Sequence, residues 1–192
     1  MSQTMRMGSE MPGETMVCPI CGGTRVREHA KLLYGIPVCN RCYYNFANRR
    51  QLAFLLDSLI WGLGVRFVGH LVLAVLLGAW GASEATLEAA GNIFEWILFP
   101  VFFLKDGFGG YSPGKALMGV QVVTATSQVP ISFWASFKRN VPLAIPFLPL
   151  VVAFQLRQGR RLGDGWANTR VIWTRYKDKP PFTTSVSSPF RA

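Results

Sequence analysis

The sequence predicts a mainly α-helical membrane protein, a small transmembrane bundle preceded by a cysteine-containing module. Half of the 192 residues are apolar, although the chain carries 20 Lys and Arg against 10 Asp and Glu. This combination suits a small membrane protein better than a soluble one. Much of the basic excess borders the apolar segments, so we expect the bilayer, with its anionic headgroups, to be the main partner of this charge and nucleic acid to be an unlikely one.

The longest apolar segment covers residues 52–80. A helix rises about 1.5 Å per residue, so this segment would exceed the roughly 30 Å hydrocarbon core of a bilayer. We therefore predict a membrane span. Arg50, Ala53 and Asp57 follow one another at i, i+3 and i+7 and fall on one face of that helix. Because charges at membrane depth avoid lipid, this face should contact protein.

The second apolar segment covers residues 93–104, contains Glu95, and is short unless its helix begins several residues earlier. The linker before it, residues 81–92, has two glutamates but no Lys or Arg, and Lys105 follows the segment. The positive-inside rule therefore predicts a helical hairpin with both ends in the cytosol. The N-terminus has no secretory signal pattern, so we expect a multi-pass protein of the inner (cytoplasmic) membrane with a cytosolic N-terminal module.

The third apolar segment, residues 141–156, contains three prolines and has basic residues at both ends. A helix of this length reaches only about 24 Å, and each proline removes a backbone donor. We predict a re-entrant hairpin or a shallow, broken helix rather than a plain span. Residues 1–16 and 177–192 lack apolar periodicity and are interpreted as a disordered leader and a disordered tail.

All four cysteines belong to two C-x2-C pairs, Cys18 with Cys21 and Cys39 with Cys42. In a reducing cytosol such pairs bind metal more often than they form disulfides. Two pairs at this separation are typical of a tetrahedral zinc site with four thiolates, although spacing alone also allows an iron centre. We therefore predict that residues 17–48 form a zinc-ribbon-like module. A closed four-cysteine site has no open position for water, which argues against zinc hydrolysis.

A glycine-rich segment follows the second apolar segment. Gly109, Gly114 and Lys115 have the spacing of a phosphate-binding loop, but Ala116 stands where Ser or Thr would hold magnesium, so we do not expect nucleotide binding. Residues 120–123 and 171–173 are rich in branched and aromatic side chains. They are predicted to be two short strands that pair in a small cytosolic sheet.

Three motifs together resemble the RDD family of membrane proteins, which is named for an arginine and two aspartates. Their order and spacing match that family over residues 49–173, so the resemblance implies an RDD membrane domain at residues 49–176. Two features depart from the pattern: Asn168 replaces a common glycine, and Arg66 and His70 lie in the first span. The motifs are Arg50-x2-Ala53-x3-Asp57, Gly110-Tyr-Ser-Pro-Gly-Lys-x3-Gly-Val-Gln-Val-Val and Arg161-Leu-Gly-Asp164-x2-Ala-x-Thr169-x-Val.

The name-giving residues Arg50, Asp57 and Asp164 are predicted to meet as an intramembrane charge cluster at the cytosolic end of the bundle, because a single charge buried there is costly. One interpretation is a structural clasp that holds the C-terminal segment on the first helix. Another is a cation or proton path in which the two aspartates change protonation while Arg50 tunes their pKa. Lys115, Arg161 and Thr169 are the predicted supporting residues.

Arg66 and His70, at i and i+4, form a second polar face nearer the middle of the membrane. This face could mediate self-association or face Glu95 of the second segment. We favour a simpler interpretation, in which Arg66 snorkels toward water and His70 binds a backbone carbonyl in a proline-broken neighbour.

No nucleophile, base and orienting group occur together, so we expect no enzyme and no catalytic residues. Our first hypothesis is a membrane protein whose cytosolic zinc ribbon recruits a protein partner to the RDD core, as adaptor or assembly factor. The alternative is a small ion/proton antiporter, oligomeric because three short segments hardly enclose a pathway. The resemblance allows both, since some members are proposed antiporters and others occur beside secretion or assembly machinery. A weaker alternative is a membrane-tethered nucleic-acid binder using Arg25, Arg27, Lys31 and Arg41.

Overall fold

The computed structural model describes residues 14–145, 147, 151–152, 155 and 161–183. Most of the predicted leader, much of the third apolar segment and residues 184–192 of the predicted tail lie outside these ranges. Whether residues 141–156 span or re-enter the membrane therefore stays a prediction.

Two antiparallel hairpins form the N-terminal module. Strand β1 (Thr15–Val17) pairs with β2 (Thr24–Val26), and β3 (Ala30–Leu33) pairs with β4 (Ile36–Cys39). The first hairpin turns at Gly22, whose positive φ of 73° favours glycine. Pairing with β2 orders β1 from Thr15 onward, so the predicted disordered leader ends earlier than residue 16.

One continuous helical segment connects the module to the first apolar segment. Helix α1 (Asn40–Leu59) passes through wider π-helical turns (Ile60–Val68) into α2 (Gly69–Ala79), giving 40 helical residues in all. The end of the predicted cysteine module and the predicted first span are therefore parts of one continuous helix, with no loop near residue 48.

Helix α3 (Glu84–Leu104) is the second apolar helix long enough to cross a membrane. It begins earlier than the apolar segment itself because the Ser83 side chain caps it, accepting a hydrogen bond from the Thr86 N–H at 3.3 Å. The two long helices approach closely at Gly69, where a Cβ atom would lie 2.4 Å from Cζ of Phe94. The described chain is thus mostly helical and has the two long apolar helices that the sequence predicts.

A third antiparallel pair lies near the N-terminal module. After helix α4 (Pro113–Met118), strand β5 (Val120–Thr124) pairs with β6 (Thr169–Trp173), which confirms the predicted two-stranded sheet. Helix α5 (Phe133–Asn140) and the short helix Leu162–Trp166 lie between the two strands in the sequence.

One hydrophobic core joins the N-terminal module, this sheet and the start of the predicted tail. Phe182 is fully buried, with its ring centroid 5.3 Å from that of Phe46 in α1. The Tyr34 hydroxyl donates to the Val171 carbonyl at 2.7 Å, and the Lys179 Nζ donates to the Ile20 carbonyl at 3.2 Å. Pro181 and Phe182, which lie in the predicted tail, are therefore buried against this core.

Replacement of Phe182 by alanine tests this packing. Removing a fully buried phenylalanine should lower the free energy of unfolding by about 3–5 kcal/mol. The measurement is denaturant unfolding of the purified full-length protein followed by circular dichroism. Leu117→Ala, at an exposed position, is the control and should change stability little. Equal stabilities of the two variants would contradict the packed position of Phe182.

Candidate functional site

The four cysteines converge at the junction of the first hairpin and the start of α1. Their Sγ atoms all lie within 4.8 Å of one another, and those of Cys21 and Cys39 are 3.8 Å apart. Four thiolates about 2.3 Å from one tetrahedral zinc would be separated by about 3.8 Å. All four thiols are free of disulfides. The donor set therefore fits a four-thiolate metal site.

Local structure explains why these thiols meet. Cys18 and Cys21 flank a tight turn in which the Gly22 N–H donates to the Cys18 carbonyl at 2.8 Å. Cys39 ends β4 and is the N-cap of α1, so Cys42 falls in the first helical turn. The Cys39 N–H also points to the Cys18 Sγ at 3.5 Å. A hairpin turn and a helix start thus present two ligands each.

Asp57, buried on α1, is held by the first turn of α4. Its Oδ2 accepts hydrogen bonds from Ser112 Oγ at 2.6 Å and Lys115 Nζ at 3.0 Å. Its Oδ1 accepts one from the Gly114 N–H at 2.8 Å. A Cβ atom at Gly114 would lie 2.3 Å from the Ala53 carbonyl oxygen, so a side chain there would separate the helices. The segment whose spacing resembles a phosphate-binding loop, with Gly114 and Lys115, therefore binds a carboxylate of the protein itself.

A continuous chain of ion pairs extends from Asp57, and we call it the buried charge network. Lys115 Nζ bridges Asp57 and Asp106, at 3.0 Å and 2.6 Å. Arg139 then bridges Asp106, at 2.9 Å, and Asp164, at 2.6 Å. All of these side chains are buried. The network thereby ties α1, the turn after α3, α4, α5 and the helix Leu162–Trp166 together.

Arg50 and Arg161 complete the network at Asp164. Arg50 Nη2 lies 3.5 Å, and Arg161 Nε 3.3 Å, from Asp164 carboxylate oxygens. Arg161 also donates to the Asn140 side-chain oxygen at 2.8 Å. The structure thus brings Arg50 directly to Asp164, whereas it links Asp57 to Asp164 only through intervening residues. Thr169 is buried in β6, but its hydroxyl has no hydrogen-bond partner among the described residues.

Sequence reasoning missed Asp106 and the pairing role of Arg139. Both residues border apolar segments. Arg139 was therefore interpreted as a basic residue that marks membrane topology, and Asp106 as part of a polar loop. The structure buries them, and further polar contacts support the site. The Asp106 N–H donates to Ser136 Oγ at 3.1 Å, and Asn140 Nδ2 donates to the Phe103 carbonyl at 3.0 Å. The only signal in the sequence was that Asp106 follows the second apolar segment and that Arg139, of opposite charge, precedes the third.

Charge and burial together fix the ionisation of the network. Burial alone would raise the pKa of Asp164, but the charges of Arg139, Arg161 and Arg50 outweigh it and hold this pKa at about 2. Burial likewise opposes ionisation of Asp106, yet nearby cations hold its pKa well below the usual range. These two aspartates are therefore carboxylates at neutral pH.

The network holds more cations than carboxylates. Asp57, Asp106 and Asp164 face four cationic side chains, and Lys105 lies close by. Burial, followed by repulsion from Lys115, lowers the pKa of Lys105 to about 8. The four cations in contact with the carboxylates are Arg50, Lys115, Arg139 and Arg161.

The second polar face joins the two long helices. Arg66 Nε lies 3.0 Å and His70 Nε2 lies 3.6 Å from Glu95 Oε1. The other ring nitrogen of His70 is 2.8 Å from the Arg66 carbonyl. The favoured interpretation differed on both counts: Arg66 pairs with Glu95 rather than snorkelling alone, and His70 contacts a carbonyl of its own helix. Glu95 faces Arg66 because the hairpin brings α3 beside the π-helical turns.

Comparison with known proteins adds one finding. The sequence model of the RDD family matches residues 44–185. This range begins just after Cys42, so it contains the whole buried charge network and none of the four cysteines. No curated protein and no solved structure matches the chain.

The close approach at Gly114 can be tested by Gly114→Ala. The new Cβ would lie 2.3 Å from the Ala53 carbonyl oxygen and 2.8 Å from Asp57 Oδ1. We expect the free energy of unfolding to fall by about 1–3 kcal/mol, since this crowding separates α4 from α1. Gly165→Ala, where nothing lies within 4 Å of the new atom, is the matched control. Chemical denaturation of both variants should show a loss only at Gly114, and a similar loss in both would refute the role given to the contact.

The pH dependence of stability follows from Asp164. Its pKa of about 2 in the folded protein lies below the value of about 3.9 in an unfolded chain. Its stabilising contribution is therefore present above about pH 4 and is lost as the pH falls toward 2. The thermal unfolding midpoint of the wild type should be nearly constant from pH 7 to pH 5 and should decrease at pH values below 4. Asp164→Asn should start lower and fall less steeply, whereas parallel curves would speak against this assignment.

Proposed function

Since the chain belongs to the RDD family, a family of membrane proteins, we propose that it is a non-enzymatic membrane adaptor or assembly factor. In this proposal the N-terminal module carries a structural zinc ion and recruits a protein partner to the membrane core. The protein lies in the cytoplasmic membrane, and its two long helices cross the bilayer. The N-terminal module and the buried charge network face the cytosol.

The rigid junction between module and membrane core carries this proposal. Helix α1 presents Cys42 in its first turn and Asp57 near its end, so one rod connects the metal site to the charge network. Phe46, on the same helix, stacks on Trp173 of β6 with ring centroids 6.2 Å apart. A module held in this way cannot swing freely, and it would hold a bound partner at a fixed height above the membrane.

The surface of the module suits protein recognition. Leu32 is 67% exposed and Tyr44 is 44% exposed, and Lys31 Nζ donates to the Tyr44 hydroxyl at 2.7 Å. Exposed apolar and aromatic side chains beside basic ones are typical of binding surfaces. The additional arginines of the module, Arg25, Arg27 and Arg41, make the surface basic.

The cysteine geometry supports zinc as the metal. Cys18, Cys21, Cys39 and Cys42 would all be used as ligands, which gives the closed coordination typical of structural zinc. Zinc would tie the turn of the first hairpin to the start of α1. The chain's own contribution is to hold the four thiols together, and a closed site supports a structural role rather than hydrolysis.

Charge distribution supports the proposed orientation. Lys105, Lys115, Arg139 and Arg161 cluster at the end of the hairpin that adjoins the N-terminal module. The turn between α2 and α3 has no Lys or Arg. By the positive-inside rule the basic end faces the cytosol.

A small ion/proton antiporter is the second candidate, and one observation favours it: Asp57 and Asp164 are linked by a continuous chain of charged side chains. Two features rank it lower. Cations outnumber carboxylates in the network, which disfavours entry of another cation. Asp164 has a pKa of about 2, far from the value that a proton carrier needs near neutral pH.

Site-specific photocrosslinking in cells tests the adaptor proposal. A photoreactive residue at Leu32 should give a discrete protein adduct, because this exposed position lies on the proposed binding surface. The matched control is Trp80, which is 87% exposed at the opposite end of the hairpin and should give no such adduct. Cys42→Ser should abolish the Leu32 adduct while leaving the protein in the membrane, since the module would lose its metal.

Cation-driven proton flux in proteoliposomes distinguishes the second candidate. The adaptor proposal predicts no flux with Na⁺, K⁺ or Li⁺. Flux that Asp57→Asn abolishes, in a variant shown to be folded, together with no adduct at Leu32, would overturn the adaptor proposal and favour antiport.

A further inference from the structure

A cavity of about 420 Å³ lies between the two long helices and α4. Its walls toward the membrane are apolar and include Trp61, Val65 and Val101. The polar side chains of Lys105, Tyr111 and Ser112 also line it. The cavity is therefore mainly apolar with a few polar side chains in its lining, a combination that suits an amphipathic molecule.

Lys105 is the exceptional group of this cavity. Its Nζ is buried and has no hydrogen-bond acceptor among the described residues. It lies 4.2 Å from the centroid of the Phe102 ring, a contact that supports a cation but accepts no hydrogen bond of ordinary strength. A buried ammonium group without an acceptor is costly, so the site favours an anion from outside the chain.

The two nearby carboxylates do not meet this need. Asp106 already pairs with Lys115 and Arg139. Asp57 also lines the cavity, but its oxygens already accept hydrogen bonds from Ser112, Gly114 and Lys115. Residues 107–163 contain no Asp or Glu. The part of this stretch that the structure does not describe therefore adds no carboxylate, and the surplus of positive charge is fixed by the sequence.

The position of the cavity indicates the source of the anion. Lys105 directly follows the last residue of α3, Leu104, and so lies where a spanning helix meets the headgroup region. A soluble anion would leave the apolar walls at Trp61 and Val101 exposed to water. We propose that the cavity binds an anionic membrane phospholipid, with its phosphate at Lys105 and part of an acyl chain against these walls.

Lipid retention by the full-length protein tests the proposal. The protein is exchanged into micelles containing phosphatidylglycerol or phosphatidylcholine, and bound lipid is counted by native mass spectrometry. Wild type should retain phosphatidylglycerol in preference to phosphatidylcholine. Lys105→Gln should weaken phosphatidylglycerol binding about tenfold, as expected for loss of one charge-assisted contact. The control Lys138→Gln removes an exposed lysine near the same membrane surface and should leave binding unchanged.

A second pair of variants addresses the apolar part of the cavity. Ala116 lines the cavity, so Ala116→Phe should fill it and reduce lipid retention, whereas Leu117→Phe at the exposed neighbouring position should not. This pair keeps the proposal testable if Lys105→Gln fails to fold.

Three results would overturn the proposal. Equal retention of the two lipids by wild type would show that the charge is not recognised. Equal losses in the Lys105 and Lys138 variants would assign the effect to diffuse surface charge. Displacement of phosphatidylglycerol by inorganic phosphate at equal concentration would show a phosphate site that does not need the lipid's acyl chain. None of these readouts depends on the adaptor proposal, because no partner protein or ion flux is measured.

Discussion

Asp106 and Asp164 have no exposed surface, and Arg139 lies between them with a charged hydrogen bond to each. A carboxylate withdrawn from water is tolerated only when cations and hydrogen bonds replace its hydration. Each of the three side chains therefore requires the other two. Because they belong to the turn after α3, to α5 and to the helix Leu162–Trp166, these segments can hold together only in an arrangement that keeps the ion pairs.

The same constraint reaches the N-terminal module through α1. This helix places Arg50 and Asp57 at two points of the network and Cys42 in the four-cysteine cluster. A change at the cysteines would therefore act on the first turn of a helix whose later turns hold buried charges. Phe46 and Phe182 pack against each other in the core that joins the N-terminal module to the rest of the chain. The module and the membrane core are best regarded as one unit.

The sequence was most informative where a physical signal is local. Length and hydropathy predicted the two long helices, and the spacing of Cys18, Cys21, Cys39 and Cys42 predicted their convergence. Two short runs rich in branched and aromatic residues predicted the pairing of β5 with β6. Each of these signals depends on residues close together in the chain or on a regular period, so a single sequence contains them.

The features that the sequence did not predict depend on contacts between residues that are far apart in the chain. Arg139 and Asp164 are far apart in sequence, and neither follows a period that identifies the other as its partner. Composition suggested a disordered tail from residue 177, but Phe182 is fully buried against aromatic side chains that are distant in sequence. The continuity of α1 was not predicted, because the cysteine module was assigned to residues 17–48 and the RDD resemblance begins at residue 49.

We propose that the buried charge network is a structural clasp, and a double-mutant cycle tests this role most directly. Arg139→Gln, Asp164→Asn and the double variant are compared with wild type by the free energy of unfolding at pH 7. Each single change removes one partner from buried charges that the network otherwise balances and should cost about 3 kcal/mol, and the double variant should cost clearly less than the sum. Single variants as stable as wild type, or strictly additive losses, would contradict the clasp.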